Sequence, residues 1–422
     1  MGVSRKAGLG FILVTLFLDI LGIGVVVPVL PRLVSSFVGD DTVIGSRLVG
    51  YLTATYSLMQ FIFAPMLGSL SDRFGRRPVV LVSLVGSTIG YSMLAFAPSL
   101  GWFFAGRIVA GICGASIGAA SAYIADISPP EKRAQNFGLI GMAFGLGFIA
   151  GPTMGGILGH YDLRLPFMLS AVLSLANAVY GLLVLPESLA ADQRRPFSWA
   201  RSNPFGTLKA LLRYDAVLGL AASLFFLALA QRGLESVWVL YTKHRYDWSM
   251  RQTGLSLAYV GLAAGVVQGG LVRRVVPLWG ERRAMVVGTV ITIISFPLYA
   301  LATQGWMLYG ILSLGAFGGL IEPSAQGLMS KAVPSNEQGM LQGGLASLRS
   351  ITSTLGPLLA TNLFSYFISP AAPVYLPGAS FLAGAVLLMV ALFFAVWSFR
   401  KTPVVTAPSA ATMAATHGES EG

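Results

Sequence analysis

The stretch Gly68-Ser69-Leu70-Ser71-Asp72-Arg73-Phe74-Gly75-Arg76-Arg77-Pro78 decides the fold. It sets one carboxylate, three arginines and two glycines between two long apolar runs. Hydrocarbon does not tolerate charge at that density, so the stretch must lie in water at a membrane face. Its glycines permit a tight turn and close helix approach, and Asp72 can pair with the arginines or meet a helix end. The residues alone leave two readings open: a positive loop that only fixes topology, or a loop with a working role.

The apolar runs on either side set the class. Of 422 residues 55% are hydrophobic and 11% charged, and mean hydropathy is +0.73. A soluble domain carries roughly 25% charged residues, so this is an integral membrane protein. The 50 glycines suit helices that pack closely in lipid. A single cysteine, Cys113, excludes an intrachain disulfide. The net charge of +11 gathers in short loops on alternate sides of the membrane, which marks topology and not nucleic acid.

Runs of bilayer-spanning length fall at about 9–31, 48–70, 78–97, 101–125, 136–158 and 165–186, then at 216–242, 250–275, 284–302, 305–330, 341–368 and 375–399. The pattern predicts an all-α membrane protein with about twelve helices in two bundles of six. The bundles are expected at 1–186 and 214–400, joined by a polar cytoplasmic linker at 187–213 with an interfacial helix around Phe205–Arg213. A disordered tail is expected over 401–422. Nineteen of the 28 Lys and Arg residues fall on one face and six on the other, which predicts that both termini are cytoplasmic. The expected location is the inner membrane of the cell.

The two bundles repeat one another. Phe74-Gly75-Arg76-Arg77 matches Trp279-Gly280-Glu281-Arg282 at an offset of 205, and the pair Gly151-Pro152 matches Gly356-Pro357 at the same offset. A duplicated six-helix unit implies a pseudo-two-fold axis along the membrane normal and a central site between the halves. The second copy has Pro277 where Asp72 stands in the first, and so reads as a positive anchor.

Ionisable groups within apolar spans are costly and are functional candidates. Asp19, Glu235 and Glu322 are the candidates for proton coupling. Arg107, Arg232 and Arg349, with the amides Gln60, Gln231 and Gln326, are candidates for lining a substrate cavity. Arg107 can face a cavity and pair with Asp19 or with substrate, or more plainly snorkel to the outer interface. Asp19 reads more plainly as a structural acid paired with a nearby arginine. Arg232 and Glu235, three residues apart, and Glu322 and Arg349, in adjacent spans, read more plainly as local ion pairs. Gly151, Pro152, Gly155 and Gly156 form a small-residue face suited to a seam that rocks. Asp126 lies within loop reach of Arg76 and Arg133. The chain has no metal-ligand spacing, phosphate loop or catalytic triad, so no enzyme activity, metal or cofactor is expected.

The opening stretch resembles the signature between the second and third helices of the major facilitator superfamily, carried by Gly68, Asp72, Arg73, Gly75, Arg76 and Arg77. The run Gly151-Pro152 to Gly155-Gly156 looks like the fifth-helix motif of that superfamily's drug–proton antiporters. Within that branch the chain is most similar to the tetracycline-resistance efflux group. The carrying stretches are Leu18-Asp19-Ile-Leu-Gly22-Ile-Gly24, Gly106-Arg107-Ile-Val-Ala-Gly111, Ala122-Tyr-Ile-Ala-Asp126 and Gln338-Gly-Met-Leu-Gln-Gly343.

The resemblance implies a role in proton-linked transport for Asp19. It implies gating roles for Asp72, Arg73, Arg76, Arg77 and Asp126, and a substrate-side role for Arg107. Gly90 and Thr292 depart from that group, which carries intramembrane aspartates there, while Glu322 and Arg349 replace uncharged residues. The expected function is proton-coupled efflux of a small organic compound, tetracycline-like compounds included, by a monomer driven by the proton gradient. The expected partners are substrate, protons and the lipid bilayer, without nucleic acid. Uptake of a metabolite on the same fold, or a membrane sensor or assembly factor without transport, are the alternatives.

Overall fold

The computed structural model describes residues 5–114, 116–197, 203, 215–334 and 337–401, and every regular element among them is helical. The first half contains α1 (Arg5–Val26), α2 (Leu30–Ser36), α3 (Thr42–Phe74), α4 (Arg76–Ala95), α5 (Leu100–Cys113), α6 (Ser116–Ile127), α7 (Pro130–Tyr161) and α8 (Leu165–Val184). The second contains α9 (Asp215–Tyr246), α10 (Met250–Val266), α11 (Val272–Trp279), α12 (Glu281–Leu301), α13 (Met307–Gly315), α14 (Ile321–Ala332), α15 (Gln338–Phe367) and α16 (Ala379–Lys401). The helix expected at 205–213 and the tail after Lys401 lie outside the described residues.

Nine helical stretches among the described residues are long and apolar enough to cross a membrane. Of the twelve expected spans, those represented by α3, by α13 with α14, and by α15 fall short of that measure; each carries polar or charged side chains along its length. The first span is also shorter than expected. Its helix ends at Val26, ahead of Pro28, because proline disfavours helical backbone at the residue before it and offers no N–H. The chain restarts as α2, with Pro31 in its first turn.

Within the first half α1 packs on α7 and α8, and α4 packs on α5 and α8; within the second α9 packs on α15 and α16. The halves meet along two seams, α3 with α15 and α7 with α10. A glycine sits in each seam. Gly254 lies against the carbonyl of Pro152, and Gly50 lies against the Thr361 side chain with the Pro357 carbonyl beside it. Polar contacts reinforce them at one end of the bundle. The Arg32 guanidinium donates to the Trp248 carbonyl, Arg47 Nε donates to Ser365 Oγ at 2.9 Å, and Ser365 Oγ donates to the Val43 carbonyl at 2.8 Å.

Toward the other end, where the Gly68–Pro78 loop lies, the α7–α10 seam opens. Gly156, Pro152 and Ile149 contact α10 at Met250, Gly254 and Gly261. The same helical face continues through Gly145, Gly141 and Gly138, and that of α10 through Gly265 and then Gly269 in the π-helical turn Val267–Leu271 that follows it. A Cβ on any of these five glycines would meet nothing within 4 Å. The halves are closed at the Arg32–Arg47 end and parted at the loop end.

The repeat read from sequence extends to backbone detail. Gly75 (φ 109°) and Gly280 (φ 77°) occupy equivalent corners in a region closed to other residues, which is why each copy keeps glycine there. The fourth helix of each half is interrupted at the same place. α5 stops at Cys113 and α6 resumes at Ser116, while α13 gives way to a 3-10 turn over Ala316–Leu320 before α14. Gly114 and Gly319 sit in these breaks, again 205 residues apart.

Candidate functional site

Paired helix breaks in corresponding positions of two halves point to a central site. The span expected over 101–125 is present as one stretch over Leu100–Ile127, with α5 ending at Cys113 and Gly114 in a turn within it. Gly111 packs against the backbone of Tyr56, leaving the helix without side-chain cover there. The Gly114 carbonyl, lost to the helix, accepts a bond from Gln60 Nε2 at 2.8 Å.

Next to this break lies a narrow cavity lined by Asp19, Ile23, Tyr56, Ser87, Tyr91, Ala110 and Gly114, with room for about one water molecule. Asp19 is only 5% exposed. The Arg107 guanidinium lies over the Tyr56 ring, 5.6 Å from its centroid, a cation–π arrangement. Its Nε is buried without a hydrogen-bond partner among the described residues. Arg107 is thus turned into the bundle and not out toward an interface. Tyr56 touches both the acid's cavity and the base, and so lies between two residues that the sequence suggested as partners.

The second half builds its charges differently. Arg232 Nη1 pairs with Glu235 Oε2 at 2.7 Å, and Gln231 Nε2 donates to Glu235 Oε1 at 3.3 Å. Glu322, in the first turn of α14, is ion-paired to Arg349 of α15, and Gln326 Nε2 donates to it at 3.2 Å. Each glutamate is therefore held by one arginine and one glutamine. The four charged side chains are 42–51% exposed. Charges so exposed are costly against hydrocarbon, which keeps these four residues candidates for a polar, solvent-accessible surface.

The polar loop forms a network. Arg76 Nη1 lies 2.5 Å from Asp72 Oδ1 and donates to Ser71 Oγ at 2.6 Å, while its Nε lies 3.1 Å from Asp126 Oδ2. Arg77 Nη2 donates to the Leu182 carbonyl at 2.5 Å. Arg73 is exposed, with its guanidinium 5.1 Å from the Phe74 ring. The Arg133 side chain lies outside the described residues.

Sequence reasoning missed Glu187. Read as the start of a linker, it instead turns back to the loop, where its Oε1 accepts the Arg76 N–H at 2.9 Å and its Oε2 the Arg77 N–H at 3.3 Å. A lone acid directly after the sixth span was the available signal.

The second copy of the loop is likewise no plain positive anchor. Glu281 lies 2.7 Å from Lys331 Nζ. The partner sits 50 residues further on, out of view of a loop-against-loop comparison.

Gly151, Pro152, Gly155 and Gly156 divide their work. Gly151 packs on Gly24 and Gly155 on the Val25 backbone, within the first half. Gly156 packs on Met250, and Pro152 on Gly254, across the seam.

Two similar helical halves, interruptions at equivalent points and partly exposed ion pairs on spanning helices are the features of a membrane transporter. The chain belongs to the Major Facilitator Superfamily, whose family model matches residues 12–357 and 275–418. It is 40% identical over 381 residues to the class C tetracycline resistance protein of Escherichia coli, covering 90% of this chain and 94% of that one. It is 35% identical to the class H tetracycline resistance protein of Pasteurella multocida, covering 93% of this chain and 96% of that one. The fold is also that of the human organic anion transporter MFSD10 (TETRAN), with a TM-score of 0.69, 24% identity, and 93% of this chain and 100% of that chain covered.

Proposed function

We propose that this chain exports a small organic compound in exchange for protons by alternating access, as a monomer in the inner membrane with both termini in the cytoplasm. The observation that carries the proposal is Asp19: a carboxylate 5% exposed on a membrane-spanning helix, at a cavity shared with two tyrosines beside Arg107. A buried acid beside a small hydrated cavity can take up and release a proton as the halves rock.

In this reading the loop end is cytoplasmic, and the described conformation receives substrate from the cytoplasm. The half-exposed ion pairs Arg232–Glu235 and Glu322–Arg349 offer hydrogen-bonding and charged groups to a polar substrate. The names of the class C and class H relatives place tetracycline among the compounds to test.

The two departures from that group are packed positions here. A Cβ at Gly90 would lie 2.9 Å from Ala110 Cβ, and Thr292 is 7% exposed with its hydroxyl bonded to the Gly288 carbonyl. A carboxylate fits neither place without repacking. Cargo recognition therefore rests on other residues, Glu322 and Arg349 among them.

The test is a susceptibility panel, tetracycline included, in a host stripped of its own efflux pumps, expressing wild type or Asp19→Asn. Protection by wild type and its loss in Asp19→Asn at equal expression supports the reading. Protection by neither, or undiminished by the substitution, sinks it.

A further inference from the structure

The two halves carry their loop-end ion pairs with opposite sign. In the first half a base opens the helix: Arg76 starts α4 and meets Asp126. In the second an acid opens it: Glu281 starts α12 and meets Lys331. Glu281 follows Arg76, and Lys331 follows Asp126, by the same 205 residues that separate Gly75 from Gly280. The positions are kept and the polarity is inverted.

That inversion leaves the two helix starts with different needs. The first turn of a helix presents unpaired N–H groups and the positive end of its dipole, so a carboxylate is favoured there and a guanidinium disfavoured. α12 brings its own acid in Glu281. α4 begins with Arg76 and Arg77 and is preceded by Gly75, which has no side chain to cap with.

Glu187 fills the gap from outside. Besides Arg76 and Arg77, its carboxylate accepts the N–H groups of Ser188 and Leu189, each at 3.0 Å, which fixes its orientation. The strap it belongs to also reaches the loop's own acids. Ser188 Oγ donates to Asp126 Oδ2 at 3.0 Å, and the Arg195 N–H donates to the Asp72 carbonyl at 3.0 Å.

We propose that Glu187 is a positioning residue for transport. It caps α4 and so sets Arg76 between Asp72 and Asp126, a task the second half does not need because its helix-opening residue is already acidic. The proposal rests on the transport reading above.

Two measurements on the full chain test it. Amide hydrogen exchange at Arg76 and Arg77 in purified protein should quicken about tenfold in Glu187→Ala, as expected when a helix cap is lost. Flux in inverted vesicles should show a maximal rate lowered by about the same factor with KM changed less than about twofold, since the gate and not the substrate contacts is disturbed. In an Arg76→Glu, Asp126→Lys background, which copies the second half's polarity, the same alanine substitution should change neither quantity by more than about twofold.

Exchange unchanged in Glu187→Ala, or equal losses in both backgrounds, overturns the proposal. Should the inverted pair not fold, Glu187→Gln in the native background decides. Exchange between wild type and Glu187→Ala supports the cap, and exchange equal to wild type overturns it. If wild type moves no substrate, the transport reading fails while the exchange measurement still judges the cap.

Discussion

Gly254 rests on the carbonyl oxygen of Pro152 so closely that a Cβ at 254 would lie 2.5 Å from it. No flexible side chain can yield there, since the oxygen belongs to the backbone of α7 and the glycine to α10. The α7–α10 seam is set by that backbone contact, while on the other seam Gly50 faces the Thr361 side chain first and the Pro357 carbonyl behind it. Gly254→Leu is expected to force the closed end apart. Thiol labelling of single cysteines near Arg32 and Trp248 should rise at least about tenfold, a shift of roughly 1.4 kcal/mol. Gly138→Ala, on the same stripe where the halves have parted, should leave labelling unchanged. Equal behaviour of the two variants would remove the seam from the account.

Asp19→Asn keeps the shape of the side chain and removes its ability to exchange a proton. Transport driven by an imposed pH gradient should be abolished, while substrate binding measured without a gradient persists within about threefold. Gradient-driven transport at the wild-type rate in this variant would assign proton coupling to another acid, with Glu322 next in line.

Glu322 and Arg349 form an ion pair about half open to water. Such pairs contribute about 0–1 kcal/mol to stability after solvent screening. Removing both charges in Glu322→Gln, Arg349→Gln should therefore barely move the melting temperature of the solubilised protein. Transport should still fall by about tenfold or more if the pair meets substrate, a loss of roughly 1.4 kcal/mol in transition-state terms. A large loss of stability with normal transport in the surviving fraction would make the pair structural.

Gln60 supplies the partner that the interrupted fourth span leaves wanting at Gly114. Gln60→Leu strands that carbonyl, at a cost of about 1–3 kcal/mol if the site stays dry. Thermal unfolding in detergent should shift downward, and Gln60→Glu, which cannot donate when ionised, should behave like leucine and not like wild type. An unshifted melt in both variants would mean that water replaces the amide.

What could be read from sequence follows from which forces are local. Span lengths, the polar loop at Gly68–Pro78 and the 205-residue repeat depend on hydropathy and on glycine's backbone freedom, which belong to single stretches of chain. The pairing of Arg76 with Asp126 was within reach because one opens a span and the other ends a span on the same side. The break at Gly114 was hidden because its stability depends on Gln60, in another helix. Glu187 was hidden because its partners are backbone N–H groups, which no residue pattern advertises. The contact of Glu281 with Lys331 was missed because the loop was compared with its copy and not with the helix packed beside it.

The ion pairs Arg76–Asp72, Arg76–Asp126 and Glu281–Lys331 each close within one half, and Arg32 and Arg47 tie the halves together at the far end. Cutting the chain after Arg195, so that the strap stays with the first bundle, would yield two polypeptides. Each would keep its own capped helix and its own ion pair, and the two are expected to reassemble in one bilayer through the glycine seams and the Arg32 and Arg47 contacts.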